Sequence, residues 1–288
     1  MLCTGEKHTE HNGPRRPVDL PANSARMAKQ EEFPRRERYQ RRDSRTVWVV
    51  AHRGASGHAP ENTMAAFRRA VEMGARFIET DLHLTRDAQV VAIHDSMLDR
   101  TTNGHGLVHL RSLEEVRALD AGAWFSSRSA ESFAGERIPT LDEILRFAKE
   151  SDVIFYLEIK PDAAWGVEHA VAAALRDSGE AARVIILSFD PATIESVHRL
   201  DSTMMTGYLC EHPSNDLMER SVRAGARQIV LRSDLVTPAL VEKAHRVGLQ
   251  VVAWTINEPE QMRQLIVAGV DGMMSDYPDR LISVLREM

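Results

Sequence analysis

Short apolar runs that end in charged residues or histidine alternate eight times with amphipathic stretches between Val47 and Met288. This pattern predicts an α/β protein, a TIM (β/α)8 barrel. Two further observations refine the prediction. The apolar run Val90 to His94 follows its predecessor too closely for a parallel crossover, so it adds an extra β-hairpin. The long connection Ser96 to Pro139 then adds a small insertion over the barrel mouth, about residues 96–139.

Residues 1–45 hold four prolines and 11 basic against 7 acidic residues, with little periodic apolar content, and are expected to form a flexible, disordered extension. The alternative is a basic anchor for anionic lipid through Arg35, Arg36, Arg38, Arg41 and Arg42, which the interspersed glutamates weaken. Met27 is a second candidate start codon. The barrel domain is assigned to residues 46–288.

Its first strand is Val47 to Ala51, ending in His52-Arg53-Gly54. A helix follows over Asn62 to Met73, capped by Asn62 or Thr63 and stopped by Gly74. Arg76 to Asp81 is the second strand. Later strands are expected at Val153 to Glu158, Val184 to Ser188, Met204 to Leu209, Gln228 to Arg232, Gln250 to Thr255 and Val270 to Asp276. Helices fit between and after them at 141–149, 163–177, 191–200, 215–224, 238–247, 259–268 and 279–287. Inside the insertion, Ser112 to Leu119 reads as a helix with Ser112 and Glu115 spaced as a capping box. Trp124 and Phe125 either line a pocket for an alcohol or form a satellite core for the insertion.

With 43% hydrophobic and 27% charged residues the chain can bury a large core. The formal charge is −6, and beyond residue 45 there are 25 basic and 35 acidic residues, a balance that argues against nucleic acid as a partner. No apolar run approaches the roughly 20 residues needed to span a bilayer, so stable membrane insertion is not expected. Cys3 and Cys210 give no disulfide framework, and no apolar leader precedes the barrel, so a cytoplasmic location is expected.

Side chains on a strand alternate faces, so apolar Ile78 and Leu82 belong against the helices while Glu79 and Asp81 point into the barrel. The same rule turns Glu158 and Lys160 inward. Like charges buried together need a cation or protons to neutralise them, and three carboxylates form a hard oxygen site suited to Mg²⁺ or Ca²⁺. A structural ion pair between Glu158 and Lys160 is the competing account of one of them. His52 and His94, at the ends of separate strands beside this cluster, suit an acid and base pair, and Arg53 offers a fork for phosphate oxygens. There is no G-x-G-x-x-G, P-loop or C-x-x-C.

The segments His52-Arg53-Gly54, Pro60-Glu61-Asn62-Thr63, Glu79-Thr80-Asp81, His94-Asp95, Arg100-Thr101-Thr102-Asn103-Gly104, Pro139-Thr140-Leu141, Leu157-Glu158-Ile159-Lys160, Trp254-Thr255 and Asp271-Gly272 closely resemble the glycerophosphodiester phosphodiesterases. The likeness runs from about Val47 to the C-terminus. It implies one divalent cation held by Glu79, Asp81 and Glu158, with His52 and His94 as the acid and base. It also implies that Arg53 and Lys160 contact phosphate or the metal-bound carboxylates, and that Trp254 lines the substrate pocket. Ala88 stands where such proteins usually have the glycine of the hairpin turn, and Ser275 replaces a common threonine before Asp276.

The expected function is metal-dependent hydrolysis of a small-molecule glycerophosphodiester to glycerol 3-phosphate and an alcohol. One alternative keeps the scaffold and acts on lysophospholipids as a lysophospholipase D; a wide apolar groove beside Trp124 and Phe125 would favour it. Another is a non-catalytic binding protein, which predicts that a metal ligand or a histidine has been lost. All five are present.

Overall fold

The structure, a computed structural model, describes residues 47–126, 129–160, 166–212 and 214–288. The expectations for the N-terminal extension lie outside the described residues, as do residues 163–165 of the helix expected at 163–177. Among the described residues nine strands form one sheet: β1 (Trp48–Ala51), β2 (Phe77–Leu84), β3 (Val90–Ala92), β4 (Ile154–Ile159), β5 (Val184–Ser188), β6 (Met205–Cys210), β7 (Gln228–Arg232), β8 (Gln250–Trp254) and β9 (Gly272–Ser275). Eight of them are parallel, and β1 closes the barrel by pairing with both β2 and β9. β3 is the antiparallel exception, with Leu84 opposite Val90 and Leu82 opposite Ala92, so the hairpin forms as expected.

That hairpin explains the main difference in strand length. β2 runs to Leu84, three residues past the expected end, because β3 supplies partners for Leu82, His83 and Leu84 beyond the barrel rim. Its turn places Ala88 at φ +58°. Alanine therefore adopts the left-handed conformation at a cost of roughly 1 to 2 kcal/mol.

Helices follow the strands: α1 (Met64–Glu72) after β1, α4 (Leu141–Glu150) before β4, then α5 (Val167–Ser178), α6 (Pro191–Leu200), α7 (Leu217–Arg223), α8 (Pro238–Arg246), α9 (Pro259–Ala268) and α10 (Pro278–Glu287). Two short helices, α2 (Leu113–Arg117) and α3 (Ala123–Ser126), belong to the insertion, and the capping box of Ser112 and Glu115 is formed at α2. Of the two candidate caps for α1, Thr63 takes the role by accepting from the Ala66 amide, which frees the Asn62 side chain for the site.

Strand alternation divides the core. Ile78, Leu82, Phe155 and Leu157 pack outward against the helices, while Trp48, Phe77, Ile154 and Tyr156 point inward and fill the bottom of the barrel. Each such buried side chain contributes on the order of 2 kcal/mol through apolar area removed from water. The inward face of β2 reads Phe77, Glu79, Asp81 from bottom to top, so the aromatic plug is the floor on which the carboxylates stand. In the insertion, Val108, Val116, Ala121 and Ile138 pack on Val91 and Ile93 of the hairpin. Phe125 is buried against Phe133, Ala59 and Ala66, and half-buried Trp124 packs on the same cluster. The satellite core is therefore real, and both aromatics also border a cavity.

Candidate active site

Parallel pairing of β2 with β4 sets Asp81 directly opposite Glu158, and Glu79 lies one inward position below Asp81. All three carboxylates are buried, and one oxygen from each lies within 4.8 Å of the others. Two cations reach in. Lys160 Nζ is 2.7 Å from Asp81 Oδ1 and 2.7 Å from Glu158 Oε1, and Arg53 Nε is 3.3 Å from Asp81 Oδ2. The ion pair between Glu158 and Lys160 is thus present inside the cluster and does not replace it.

The fit to a divalent cation follows from charge and from one oxygen. Three carboxylates against Lys160 and Arg53 leave one negative charge uncompensated, and Glu79 Oε1 is buried with no hydrogen-bond partner among the described residues. Burial, then Asp81 and Glu158, push the Glu79 carboxyl well above its ordinary range. Glu158 is pushed up to about 7 by burial and Asp81, against the pull of Lys160. Burial would raise Asp81 as well, but Lys160, Arg53 and His94 outweigh it and hold Asp81 far below the usual carboxylate range. Protons or a cation must therefore share the site, and oxygen ligands of this kind suit a hard divalent ion.

Arg53 anchors the cluster twice. Its backbone sits at φ +55°, which aims its amide at Glu79 Oε2 at 2.8 Å, while its guanidinium also binds Glu61 at 2.8 Å. Asn62, at φ +56°, gives Asp81 a further donor: its Nδ2 lies 2.8 Å from Asp81 Oδ2, and its Oδ1 accepts from the Thr80 hydroxyl.

His52 follows β1, and its Nδ1 is 2.7 Å from Asp276 Oδ1, just beyond β9. A carboxylate only accepts, so Nδ1 carries the proton, and Nε2 is left 3.9 Å from Glu79 Oε2. Ser56 Oγ and Asn257 Nδ2 donate to Asp276 in turn, over 2.9 and 2.7 Å. Burial acts against ionisation of Asp276, yet the bonds from His52, Asn257 and Ser56 keep its carboxyl at about 2.

His94 lies just past β3 at the level of Asp81, because the Ile93 amide donates to the Asp81 carbonyl at 3.0 Å. Its Nδ1 meets Asp95 at 2.6 Å. Burial, reinforced by Arg53 and Lys160, lowers its pKa despite the raising effects of Asp81 and Asp95. Arg100 of the insertion grips Asp95 at 2.7 and 2.9 Å and Glu61 at 2.8 Å twice, so one guanidinium joins the partner of His94 to the partner of Arg53.

A cavity of about 240 Å³ opens over the cluster and is lined by both histidines, Glu79, Glu158, Lys160 and Trp254 among others. Trp254 packs edge-on against Phe189, and its indole N–H donates to the Val230 carbonyl. Every sequence-predicted site residue borders this cavity except Asp81, which lies behind Arg53 and Lys160. Sequence reasoning gave no role in the site itself to Asp276, Asn62, Asp95, Glu61 or Arg100. The signal for Asp276 was available, since it ends a barrel strand as His52 does.

Fold and site together define a β/α-barrel enzyme with an acidic centre at the C-terminal end of its strands. The chain belongs to the glycerophosphoryl diester phosphodiesterase family, whose model matches residues 52–280, and it is a phosphoric diester hydrolase. It is 39% identical over 241 residues to a glycerophosphodiester phosphodiesterase of Caldanaerobacter subterraneus subsp. tengcongensis, covering 83% of this chain and 98% of that protein. A Bacillus subtilis glycerophosphodiester phosphodiesterase is 34% identical, with 81% of this chain and 84% of that protein covered. An Oleispira antarctica phosphodiesterase, solved in complex with the product sn-glycerol-3-phosphate, aligns with a TM-score of 0.76 at 29% identity, covering 83% and 96% of the two chains. Among the described residues no helix is long and apolar enough to cross a membrane.

Proposed function

We propose that the chain hydrolyses soluble glycerophosphodiesters to glycerol 3-phosphate and an alcohol, using one divalent cation, Mg²⁺ or Ca²⁺, at Glu79, Asp81 and Glu158. The observation that carries this reading is the buried carboxylate cluster, with its unpartnered Glu79 oxygen, in a cavity bordered by two histidines. A cation held there supplies Lewis-acid polarisation of the phosphoryl oxygens. Arg53 and Lys160 stand beside the same cavity and provide donors for phosphate oxygens. Trp254 forms part of the wall against which the substrate rests.

His94, kept neutral by its burial and by the neighbouring cations, is suited to remove a proton. His52 is fixed by Asp276 with Nε2 toward the cavity; when it is protonated on both ring nitrogens, the Nε2 proton can pass to the departing alkoxide while Nδ1 keeps its bond to Asp276. Both histidines thus have a carboxylate on Nδ1, which leaves Nε2 as the working atom of each.

The lysophospholipase D alternative calls for a wide apolar groove beside Trp124 and Phe125. The cavity there is bordered by Arg53, Glu61, Arg100 and Asp276, which supports soluble diesters instead. Residues 46–288 are read as the catalytic domain, with residues 1–45 as an extension dispensable for turnover of such diesters. The two cysteines in the chain support a cytoplasmic setting.

Leaving-group chemistry tests the histidine roles. His52→Ala and His94→Ala should each lower kcat/KM by on the order of 10²-fold or more on ordinary diesters. Diesters of a more acidic alcohol need less proton donation and should rescue His52→Ala alone. Rescue of His94→Ala alone would reverse the assignment, and rescue of neither would mean that the histidines bind phosphate without transferring protons.

A further inference from the structure

Beside the catalytic cavity lies a second one of about 360 Å³, lined by Glu61, Arg100, Trp124, Phe125, Asp276 and Tyr277, and the two share His52 and Arg53. His94, Glu79, Glu158 and Lys160 border only the first cavity. We propose that this second cavity is the subsite for the leaving alcohol and that it takes a small, uncharged polyhydric alcohol. The inference rests on the function proposed above.

A diester whose phosphorus sits at the shared wall sends one ester arm to each side. The arm beyond His52 carries the oxygen that receives the proton of His52 as its bond to phosphorus breaks, and water supplies the oxygen that replaces it. The glycerol arm then stays with His94.

The lining sets the class of alcohol. Two arginines face two carboxylates, and each is already engaged: Glu61 by Arg53 and Arg100, Asp276 by His52, Ser56 and Asn257. Each oxygen of Glu61 and Asp276 thus already has a donor, and neither carboxylate is left bare to draw an ammonium group. Nor does Tyr277 supply a clear cation-binding face, because the Arg280 guanidinium lies 3.7 Å from its ring centre. An acyl chain would press hydrocarbon against these charged edges and cut them off from water at a cost of several kcal/mol. Hydroxyl groups can instead bond to the paired guanidinium and carboxylate atoms while Trp124 and Phe125 cover the carbon skeleton. Gly57 keeps the wall close, since a Cβ there would fall 2.3 Å from the Tyr277 ring.

The test compares glycerophosphoinositol, glycerophosphoglycerol and glycerophosphocholine as substrates for the full chain and for Trp124→Ala. The full chain should favour the two polyol diesters over the choline diester by roughly fivefold or more in kcat/KM, and Trp124→Ala should lose most of that preference through KM. Its inhibition by glycerol 3-phosphate should stay within about twofold of the parent value, because glycerol occupies the other cavity. Calorimetry on the unaltered chain guards against a misfolded variant: inositol should still bind protein saturated with glycerol 3-phosphate. A preference for the choline diester, or competition between inositol and glycerol 3-phosphate for one site, would overturn the subsite. Failure to hydrolyse any of the three would instead overturn the functional reading, which the binding experiment does not require.

Discussion

Asp276 shows how much of the site depends on residues outside the carboxylate cluster. It touches His52, Ser56 and Asn257 at once, and the only ring nitrogen of His52 left to face the cavity is the one it does not hold. Asp276→Asn should keep the fold, since the amide fits the same space. It should also scramble the tautomer of His52 and lower kcat by about 10² or more, with a much smaller change in KM. An unchanged kcat and pH profile would show that Asp276 has only a structural part. The contact explains why this residue is harder to read than the carboxylate cluster. Glu79, Asp81 and Glu158 are visible through period-two alternation within single strands, whereas His52 and Asp276 lie 224 positions apart and meet only when β1 closes on β9. Asn62 reads as a candidate helix cap because capping is a local signal; its bond to Asp81 depends on how α1 packs over β2.

At the scale of elements, the insertion is coupled to the chemistry through Arg100. Its planar fork meets two carboxylates, and a lysine ammonium cannot reproduce that geometry. Arg100→Ala should release Asp95 and Glu61 together, and with them the settings of His94 and Arg53, lowering kcat by roughly tenfold or more. Arg100→Lys should recover little of the loss. Full recovery by lysine would show that charge alone matters there. Helices with strong local signals were legible nearly to the residue: Asp190 caps α6 and Thr237 caps α8, each directly before a proline at the first helical position. Strand ends were less legible, because they depend on partners. β2 gained residues from the hairpin, and β9 is confined to Gly272–Ser275 within the expected run of 270–276.

For the whole molecule, the buried acidic centre links folding to pH and, through the cation proposed there, to metal. Glu158 rises from an ordinary 4.5 to about 7 in the fold, so the folded state holds its proton more tightly than the unfolded chain does. Its contribution is therefore fully present below about 4.5 and is lost as pH rises through about 7. Without a divalent cation, thermal stability should suffer increasingly from this group across that window, and the cation should offset the loss. The gap in Tm between metal-loaded and chelator-treated protein should widen from pH 5 to pH 8. Taking the difference largely removes the opposite contribution of His94, whose lowered pKa costs stability as pH falls. Asp95 and Asp276, both depressed, act only at lower pH. A gap that stays constant or narrows would contradict this linkage. The central claim is that Glu79, Asp81 and Glu158 hold a cation required for diester hydrolysis. It is tested most directly by measuring glycerol 3-phosphate release after exhaustive chelation and then during titration with Mg²⁺ or Ca²⁺. The account predicts loss of turnover, recovery at one ion per chain, and weaker recovery for Glu79→Gln; full turnover by the metal-stripped protein would contradict it.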